Sequence, residues 1–386
     1  MRAVDFYRRF RRFELESIRR MRVLIFGAGA SKPAGYPLAS ELISAIEQFV
    51  EAHHSETMLT AYWKRWSSWR NSAEGIVKEL LFSPNPEIVL SLPDLYEAAL
   101  NIDTLERLRG VSDQWKAGEL TEENFRKYKE RFRSKEHKKL REGKAALRDF
   151  LECLQQFFFD RHYRDAKNPA SREYLRRHFA HLSKGDVVIT LNWDTTAERT
   201  LYEQGMWNPN SGYGFHRDLR IMPYETPLPR TFPVESPISV LKLHGSIGWH
   251  SSATGRVYLE HPRFLSCLGD GTLMDPEAPK QGVPEDPVLL YPSFLKQLNG
   301  PVMQEIWHLA AQSLSRAKVV DVYGYSLPES DVAVRTLLNV LRFRSEAREV
   351  RMRVHDKSPD AQDRWRAFLG DKPVVDDRLT EDPPSD

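Results

Sequence analysis

The hydrophobic pattern of this chain predicts short buried strands that alternate with amphipathic helices. Residues 23–26 form a continuous apolar run that leads into a glycine-rich turn, and residues 38–49 then carry hydrophobic side chains at helical spacing. Later apolar runs have the length and composition of buried strands, and they cover residues 187–191, 240–243, 318–323 and 350–354. Helical patterns lie between and after these runs, at residues 195–203, 301–317 and 331–341. This alternation predicts an α/β fold, a Rossmann-like parallel sheet with helices on both faces.

A large helical insertion is expected to interrupt this core. Residues 51–184 carry mostly helical patterns, so the core is expected to comprise residues 21–50 and 185–365. Residues 1–20 are a basic N-terminal arm, which either docks on a neighbouring subunit or packs as a helix on its own domain. Residues 376–386 are an acidic, proline-containing tail that is expected to be flexible.

Two polar stretches and one basic stretch stand out along the chain. Residues 207–237 and 250–287 are predicted to be long loops, with a short strand at 256–259, and loops of this length are often functional. Residues 124–148 contain eleven Lys or Arg against three Glu. The basic stretch is interpreted either as a solvated helix or as a surface that follows phosphates or binds a partner, so contact with nucleic acid stays open.

Composition narrows the class of protein. The chain has 386 residues, of which 41% are hydrophobic, and its net charge of +2 does not indicate a nucleic-acid binder as a whole. Its two cysteines, Cys153 and Cys267, are too few for a four-thiolate zinc site, so no zinc or other metal is expected. No apolar run is long enough to span a bilayer, and the N-terminus lacks an apolar signal segment. We therefore expect a cytoplasmic protein without membrane contact.

The candidate chemistry lies where the predicted strands end. Each of five strands runs directly into a short polar loop: the glycine loop (27–31), the asparagine loop (192–194), the histidine loop (244–246), the tyrosine loop (324–326) and the aspartate loop (355–356). Ligands of parallel sheets bind outside the carboxyl ends of the strands, so the five loops are expected to line one pocket. A glycine turn between a buried strand and a helix is typical of a pyrophosphate site, although the same pattern also occurs in a plain strand–turn–helix unit.

In this order, the five loops resemble the sirtuin-like family. The resemblance covers about residues 21–50 and 185–365. The glycine loop, continued by Gly35-Tyr36-Pro37, is similar to the first NAD-binding loop of the family, and the tyrosine loop is similar to its later dinucleotide-binding loop. Thr190-Leu191-Asn192-Trp193-Asp194 resembles the Asn/Asp motif, and Leu243-His244-Gly245 resembles the motif that holds the catalytic histidine.

The departures from the family pattern point to one branch of it. Deacetylating sirtuins have four zinc cysteines and an acidic-aromatic-arginine signature, whereas this chain has two cysteines and reads Leu38-Ala39-Ser40-Glu41. The pattern is closer to the bacterial antiphage-defence branch, whose members hydrolyse NAD. That resemblance implies NAD as the substrate, abortive infection as the setting, a homo-oligomer, and a partner such as a HerA-type DNA-translocating ATPase or an Argonaute-like protein. The ATPase suits a chain of this size better.

The resemblance also implies a role for each candidate site residue. The catalytic pair is Asn192, which would orient the ribose hydroxyls and a water, and His244, which would act as the general base. The other candidates would bind the dinucleotide: Gly27, Ala28, Gly29 and Ser31 around the pyrophosphate, Gly324 and Ser326 on its other side, Asp194 at the loop or the nicotinamide, and Asp356 at an adenosine-ribose hydroxyl.

Other interpretations are open for these residues and for the chain. Taken singly, Asn192 is a turn or cap residue, Asp194 caps the following helix, and His244 is a structural histidine. At the level of function, the chain is an NAD hydrolase, a regulatory subunit that binds NAD or ADP-ribose without turnover, or a nucleic-acid-binding module that uses residues 124–148. ADP-ribosyl transfer differs from hydrolysis only in the acceptor.

Overall fold

The computed structural model describes most of the predicted core and part of the helical insertion. The described residues are 21–72, 121–209, 211–214, 220–222, 236–251, 257–260, 286–289, 301–346, 350–370 and 374–376. The predicted N-terminal arm lies outside them, as do the predicted tail from residue 377 onward and most of the two long polar stretches.

Ten strands and nine α-helices are present in the described ranges. The strands are β1 (Arg22–Phe26), β2 (Val187–Thr190), β3 (Arg220–Met222), β4 (Ser239–Lys242), β5 (Gly245–Ser251), β6 (Val257–Glu260), β7 (Asp286–Leu289), β8 (Val319–Tyr323), β9 (Arg351–His355) and β10 (Val374–Asp376). The helices are α1 (Ala28–Ser31), α2 (Leu42–Ala52), α3 (Thr57–Ser72), α4 (Glu122–Lys167), α5 (Glu173–Phe179), α6 (Thr196–Glu203), α7 (Pro301–Arg316), α8 (Val332–Glu346) and α9 (Pro359–Leu369). Three 3₁₀ turns connect some of these elements: Lys32–Ala34, Ala39–Glu41 and Pro169–Arg172.

A six-stranded parallel sheet confirms the predicted fold class. Its strand order is β10-β9-β8-β1-β2-β4, and every neighbouring pair is parallel. The chain builds β2 and β4 on one side of β1 and then returns to add β8, β9 and β10 on the other side. The strand order therefore reverses between β1 and β8, which is the switch point where open α/β sheets bind ligands.

Strand β1 lies in the interior of this sheet, between β8 and β2, and belongs to the hydrophobic core. Its side chains are all buried, with Val23 and Ile25 at most 1% exposed, as expected for a strand flanked by parallel neighbours and covered by helices. Helix α7 packs against β4 and α8, and α9 packs against β9 and β10. In the described part of the chain, no helix combines the length and the hydrophobicity needed to cross a membrane.

The structure differs from the sequence prediction at a helix start, at one added strand and in a second sheet. The helix expected at 38–49 begins at Leu42, because the residues before it form the 3₁₀ turn Ala39–Glu41. Strand β10 follows β9, the last strand that the sequence predicts, and pairs with it in parallel. A second, mixed sheet of order β3-β6-β5-β7 is also present: β6 lies where the sequence predicts a short strand at 256–259, whereas β3, β5 and β7 occupy stretches predicted mainly as loop. These short strands lack long apolar runs, and pairing with neighbours stabilises them more than their own propensity does.

The chain divides into two compact units. One comprises Met1–Leu38 and Phe158–Asp386 and contains both sheets, and the other comprises Ala39–Phe157. The predicted insertion, 51–184, overlaps the second unit but is displaced along the chain. In the second unit, Trp66 packs on Phe150 with ring centroids 4.8 Å apart, and Arg65 pairs with Asp149 at 2.7 Å. Residues after Phe158 instead belong to the sheet-containing unit, in which the His162 carbonyl accepts from Arg199 at 2.9 Å.

Candidate functional site

The glycine loop and the tyrosine loop are packed backbone to backbone at the switch point. The Gly27 N–H donates to the Tyr323 carbonyl at 3.0 Å, and the Gly29 N–H donates to the Gly324 carbonyl at 2.9 Å. A Cβ on Gly27 would lie 2.6 Å from the Gly324 oxygen, which is closer than packed atoms allow. These glycines are therefore needed for the approach of one loop to the other. The N–H groups of Gly27 and Gly29 donate to these carbonyls, so they are not directed at a ligand, and the place of both glycines in a pyrophosphate site stays a prediction.

Asn192 joins the asparagine loop to the glycine loop. Its Nδ2 donates to the Gly27 carbonyl and to Ser31 Oγ, both at 2.9 Å, and its backbone N–H donates to Thr190 Oγ1 at 3.1 Å. Both amide hydrogens are thus held inside the protein, which fixes the side-chain orientation. No described residue donates to Oδ1, which leaves this oxygen as the acceptor for a hydroxyl group or a water.

His244 is joined to the tyrosine loop through a residue that the sequence did not single out. Its side chain is 5% exposed, and Nε2 lies 3.6 Å from Asp331 Oδ2. The same carboxylate oxygen accepts from the Tyr325 hydroxyl at 2.8 Å. An aspartate directly before a helix indicates an N-cap, and Asp331 does accept from the Val334 N–H at 3.4 Å. Its contact with His244 could not be inferred from this local pattern.

The tyrosine loop is anchored through its backbone carbonyls. Trp365 Nε1 donates to the Tyr325 carbonyl at 2.7 Å, Arg364 Nε donates to the Ser326 carbonyl at 2.8 Å, and Arg335 Nη1 donates to the Leu327 carbonyl at 3.1 Å. Leu327 adopts a φ of 51°, an uncommon conformation for a residue with a side chain. Side chains of α8 and α9 thus bond to three consecutive carbonyls, those of Tyr325, Ser326 and Leu327.

Asp194 forms a turn directly before α6, whose N-cap residue is Thr195 and not Asp194. Its Oδ1 accepts from the Thr196 N–H at 2.9 Å at the start of α6, and the side chain is buried. The buried Lys242 ammonium donates to the Asp194 carbonyl and pairs with Glu198 at 2.8 Å. Burial raises the pKa of the Glu198 carboxyl group, and the nearby Lys242 ammonium offsets only part of this rise. These contacts tie the asparagine loop to β4, and a contact of Asp194 with a ligand stays a prediction.

Asp356 lies at the carboxyl end of β9 and forms a turn at the start of α9. Its Oδ1 accepts from the Ser358 N–H at 2.9 Å, while no described residue donates to Oδ2. Burial raises the pKa of this carboxyl group, and the Ser358 N–H and Arg364 oppose the shift. The neighbouring His355 carbonyl accepts from the Gly324 N–H at 2.9 Å, and the His355 ring stacks on Tyr323 with centroids 4.8 Å apart.

The five predicted loops therefore form one connected network at the carboxyl edge of the sheet. The links run from the asparagine loop to the glycine loop, from there to the tyrosine loop, and on to the aspartate and histidine loops. Asn192 makes no hydrogen bond to His244, and neither residue bonds to Asp356, within the described ranges. No group of three or more His, Cys, Asp or Glu in those ranges is arranged to hold a metal ion.

Comparisons with known proteins add no identification. No protein-family model matches the chain, and no curated protein matches it either. The fold and the network together define a class: an α/β protein with a Rossmann-like parallel sheet whose polar loops meet at its switch point.

Proposed function

We propose that this chain hydrolyses NAD at the nicotinamide–ribose bond and releases nicotinamide and ADP-ribose. The observation that best supports the proposal is the meeting of the glycine, asparagine and tyrosine loops at the switch point, with Asn192 held by Gly27 and Ser31. The switch point is where dinucleotides bind in open α/β sheets. The resemblance of these loops to NAD-binding motifs supplies the choice of ligand.

The proposed reaction needs positioning more than nucleophilic force. The C1′–N bond breaks with its electron pair going to nicotinamide, which leaves as a neutral molecule, and a water oxygen bonds to C1′. The water proton passes to His244, which acts as general base. Asn192 Oδ1 would accept from a ribose hydroxyl or from this water, since its Nδ2 is bonded to the glycine loop at 2.9 Å. Holding water and ribose in reacting geometry supplies the largest part of the rate.

The remaining site residues would bind the dinucleotide. Ser31 Oγ accepts from Asn192 at 2.9 Å, so its own hydroxyl hydrogen is placed to donate to a phosphate oxygen. The other assignments follow the sequence resemblance: Gly27, Ala28 and Gly29 on one side of the pyrophosphate, Gly324 and Ser326 on the other, Asp194 near the nicotinamide, and Asp356 Oδ2 on an adenosine-ribose hydroxyl.

The biological setting is part of the proposal and rests on the resemblance alone. We propose that NAD depletion serves antiphage defence by abortive infection and that a DNA-translocating ATPase regulates a homo-oligomer of this chain. Co-expression with a HerA-type DNA-translocating ATPase, followed by measurement of cellular NAD during infection, tests this setting separately from the chemistry.

The chemistry is tested by nicotinamide release from NAD, measured for the purified protein alone and with the partner ATPase. His244→Ala and Asn192→Ala are expected to slow release at least about 100-fold while the proteins stay folded, because each removes a group that acts on the reacting atoms. The exposed residues His308 and Asn71 provide matched controls, and His308→Ala and Asn71→Ala are expected to stay within about twofold of wild type. Undiminished release from both site variants would contradict the catalytic assignment.

Binding without turnover is the second candidate function, and the burial of His244 favours it. Because the His244 side chain is 5% exposed, a substrate contacts it only if the groups that cover the ring leave space for the substrate. In this case the protein would bind NAD or ADP-ribose at equilibrium and release no nicotinamide with any partner. If the chain instead transfers ADP-ribose, NAD that is labelled in its ADP-ribose part would leave the label bound to an acceptor molecule.

A further inference from the structure

We propose that Asp331 is a positioning residue that sets the orientation and the tautomer of His244. Its effect on rate rests on the proposed NAD hydrolysis, whereas its effect on the histidine ring does not. The two residues come from different loops, since His244 follows β4 and Asp331 follows β8.

The contact between these two loops is not a consequence of strand pairing. Strands β4 and β8 are separated by β2 and β1 in the sheet. Three strand spacings amount to roughly 14 Å, so the backbone ladder alone does not bring the two loops together. Asp331 nevertheless approaches the His244 ring to 3.6 Å, through the segment between β8 and α8.

The Asp331 carboxylate is itself held from two sides. Oδ1 accepts from the Val334 N–H in the first turn of α8 at 3.4 Å, and Oδ2 accepts from the Tyr325 hydroxyl at 2.8 Å. The Tyr325 carbonyl is in turn bonded to Trp365 at 2.7 Å, and Asp331 is 1% exposed. A buried carboxylate with both oxygens engaged has little freedom to rotate, so it presents Oδ2 to the histidine in one geometry.

The 3.6 Å separation is longer than a hydrogen bond, so the carboxylate acts on the ring through its charge and favours one tautomer. A carboxylate only accepts hydrogen bonds, so Oδ2 beside Nε2 favours the proton on Nε2 and the lone pair on Nδ1. Nδ1 is then the basic atom. The same negative charge stabilises the imidazolium that forms when His244 takes a proton, as a buried aspartate does in hydrolase triads.

Two substitutions separate this role from helix capping. Asn and Ser cap helices about as well as Asp, so Asp331→Asn and Asp331→Ser retain the bond to the Val334 N–H and lose the carboxylate. In Asp331→Asn the side-chain oxygen stays with the Val334 N–H, which turns the NH₂ group towards His244 Nε2. That nitrogen must then accept, and the proton moves to Nδ1.

Nitrogen-15 NMR of protein labelled at histidine reads the tautomer without any need for activity. The His244 signal, assigned by its loss in His244→Gln, is expected to show the Nε2–H form in wild type and the Nδ1–H form in Asp331→Asn. Tyr325→Phe removes one of the two groups that hold the carboxylate, and it is expected to give a mixture of both forms. The exposed Asp363 supplies the matched control, Asp363→Asn, with an unchanged signal.

Kinetics provide the second readout. The kcat for nicotinamide release is expected to fall roughly 10²- to 10⁴-fold in both Asp331 variants with KM within about threefold, the pattern of a lost transition-state interaction. An unchanged His244 tautomer in Asp331→Asn and Tyr325→Phe would overturn the positioning role. If wild type releases no nicotinamide, the proposed hydrolysis fails, and the NMR result still decides the role of Asp331.

Discussion

At the residue scale, Gly324 is tightly constrained where the tyrosine loop meets the glycine loop. Its φ is +59°, and a Cβ there would lie 2.4 Å from the Ala30 nitrogen and 2.5 Å from the Gly29 carbonyl carbon. The residue thus combines a left-handed backbone with the absence of space for a methyl group. Gly205, at the end of α6, has a similar φ of +68°, but a Cβ at this position would meet nothing within 4 Å among the described residues.

Gly324→Ala and Gly205→Ala therefore form a matched pair. Gly205→Ala is expected to cost about 1 kcal/mol, the left-handed strain alone. Gly324→Ala is expected to cost at least about 3 kcal/mol, because the glycine loop must also move away. Denaturant titration measures both, and equal losses for the two variants would contradict the close packing of the two loops.

Asp356 provides a pH-dependent prediction. Burial raises the pKa of this carboxyl group above its ordinary 3.8, so the charged form is disfavoured in the folded state. The resulting penalty is absent below the unfolded-state pKa, grows as pH rises and is complete above the folded-state pKa. Asp356→Asn keeps an oxygen for the Ser358 N–H and removes the penalty.

The expected result is that Asp356→Asn raises Tm at pH 7 and leaves it unchanged near pH 3, while the affinity for NAD falls. Thermal unfolding at both pH values and equilibrium NAD binding check the two effects, with the exposed Asp363→Asn as the control. A lower Tm at pH 7 would contradict the burial penalty, and unchanged affinity would remove Asp356 from the binding site.

Some site residues could be predicted from sequence and others could not. Asn192, His244 and the glycines follow apolar runs directly, so their place at strand ends can be derived from local patterns. Asp331, to which Tyr325 donates a hydrogen bond, lies beside His244 only because two loops approach each other across the sheet edge. That approach depends on the three-dimensional course of the segment between β8 and α8, which a local sequence pattern does not contain.

At the element scale, α9 supports the tyrosine loop. The fully buried Trp365 packs near Phe368 and donates to the Tyr325 carbonyl at 2.7 Å. Trp66, in the second compact unit, is buried to the same degree, but its Nε1 has no hydrogen-bond partner among the described residues. The two tryptophans are alike in burial and differ in this hydrogen bond and in the compact unit to which they belong.

Trp365→Phe is expected to raise the KM for NAD at least about threefold, because one of the three carbonyls that anchor the tyrosine loop loses its donor. Trp66→Phe changes the volume by the same amount and removes an N–H group without a partner, so KM is expected to stay at its wild-type value. Steady-state kinetics compare the two variants. A KM that rises equally in both would show that core packing, and not the hydrogen bond to Tyr325, controls the loop.

The elements differ in how well their sequences predict them. Strands β1 and β2 have apolar runs that are continuous or nearly so, β4 and β8 lie in runs that one charged residue interrupts, and β9 alternates apolar and basic residues. Strand β5 contains two glycines and β10 is three residues long, so neither has a period that local reasoning can detect. Pairing with neighbouring strands stabilises both.

At the scale of the whole molecule, parallel topology is what turns five local loops into one site. Parallel strands point their carboxyl ends to one edge, so the shared edge could be predicted from alternation of strands and helices. The position of the switch point between β1 and β8 required the strand order. It places the glycine loop beside the tyrosine loop, which are about 300 residues apart in the sequence.

The basic stretch at 124–148 lies on α4, and its function stays a prediction. At the start of this helix, Arg126 and Lys127 are exposed and pair with Glu122 and Glu123 one turn earlier. Such pairs are typical of a solvated helix and add little stability. These pairs therefore do not support the interpretation of the basic stretch as a nucleic-acid surface.

We propose that NAD is cleaved at the carboxyl edge of this sheet, and the formation of ADP-ribose is the direct measure of that reaction. Wild type and Asn192→Ala are compared at saturating NAD, with and without the partner ATPase, and ADP-ribose and nicotinamide are quantified together. We predict equimolar products from wild type in at least one of the two conditions and at least about 100-fold less from the variant. Equal product formation by wild type and variant, or none by wild type in both conditions, would contradict the claim.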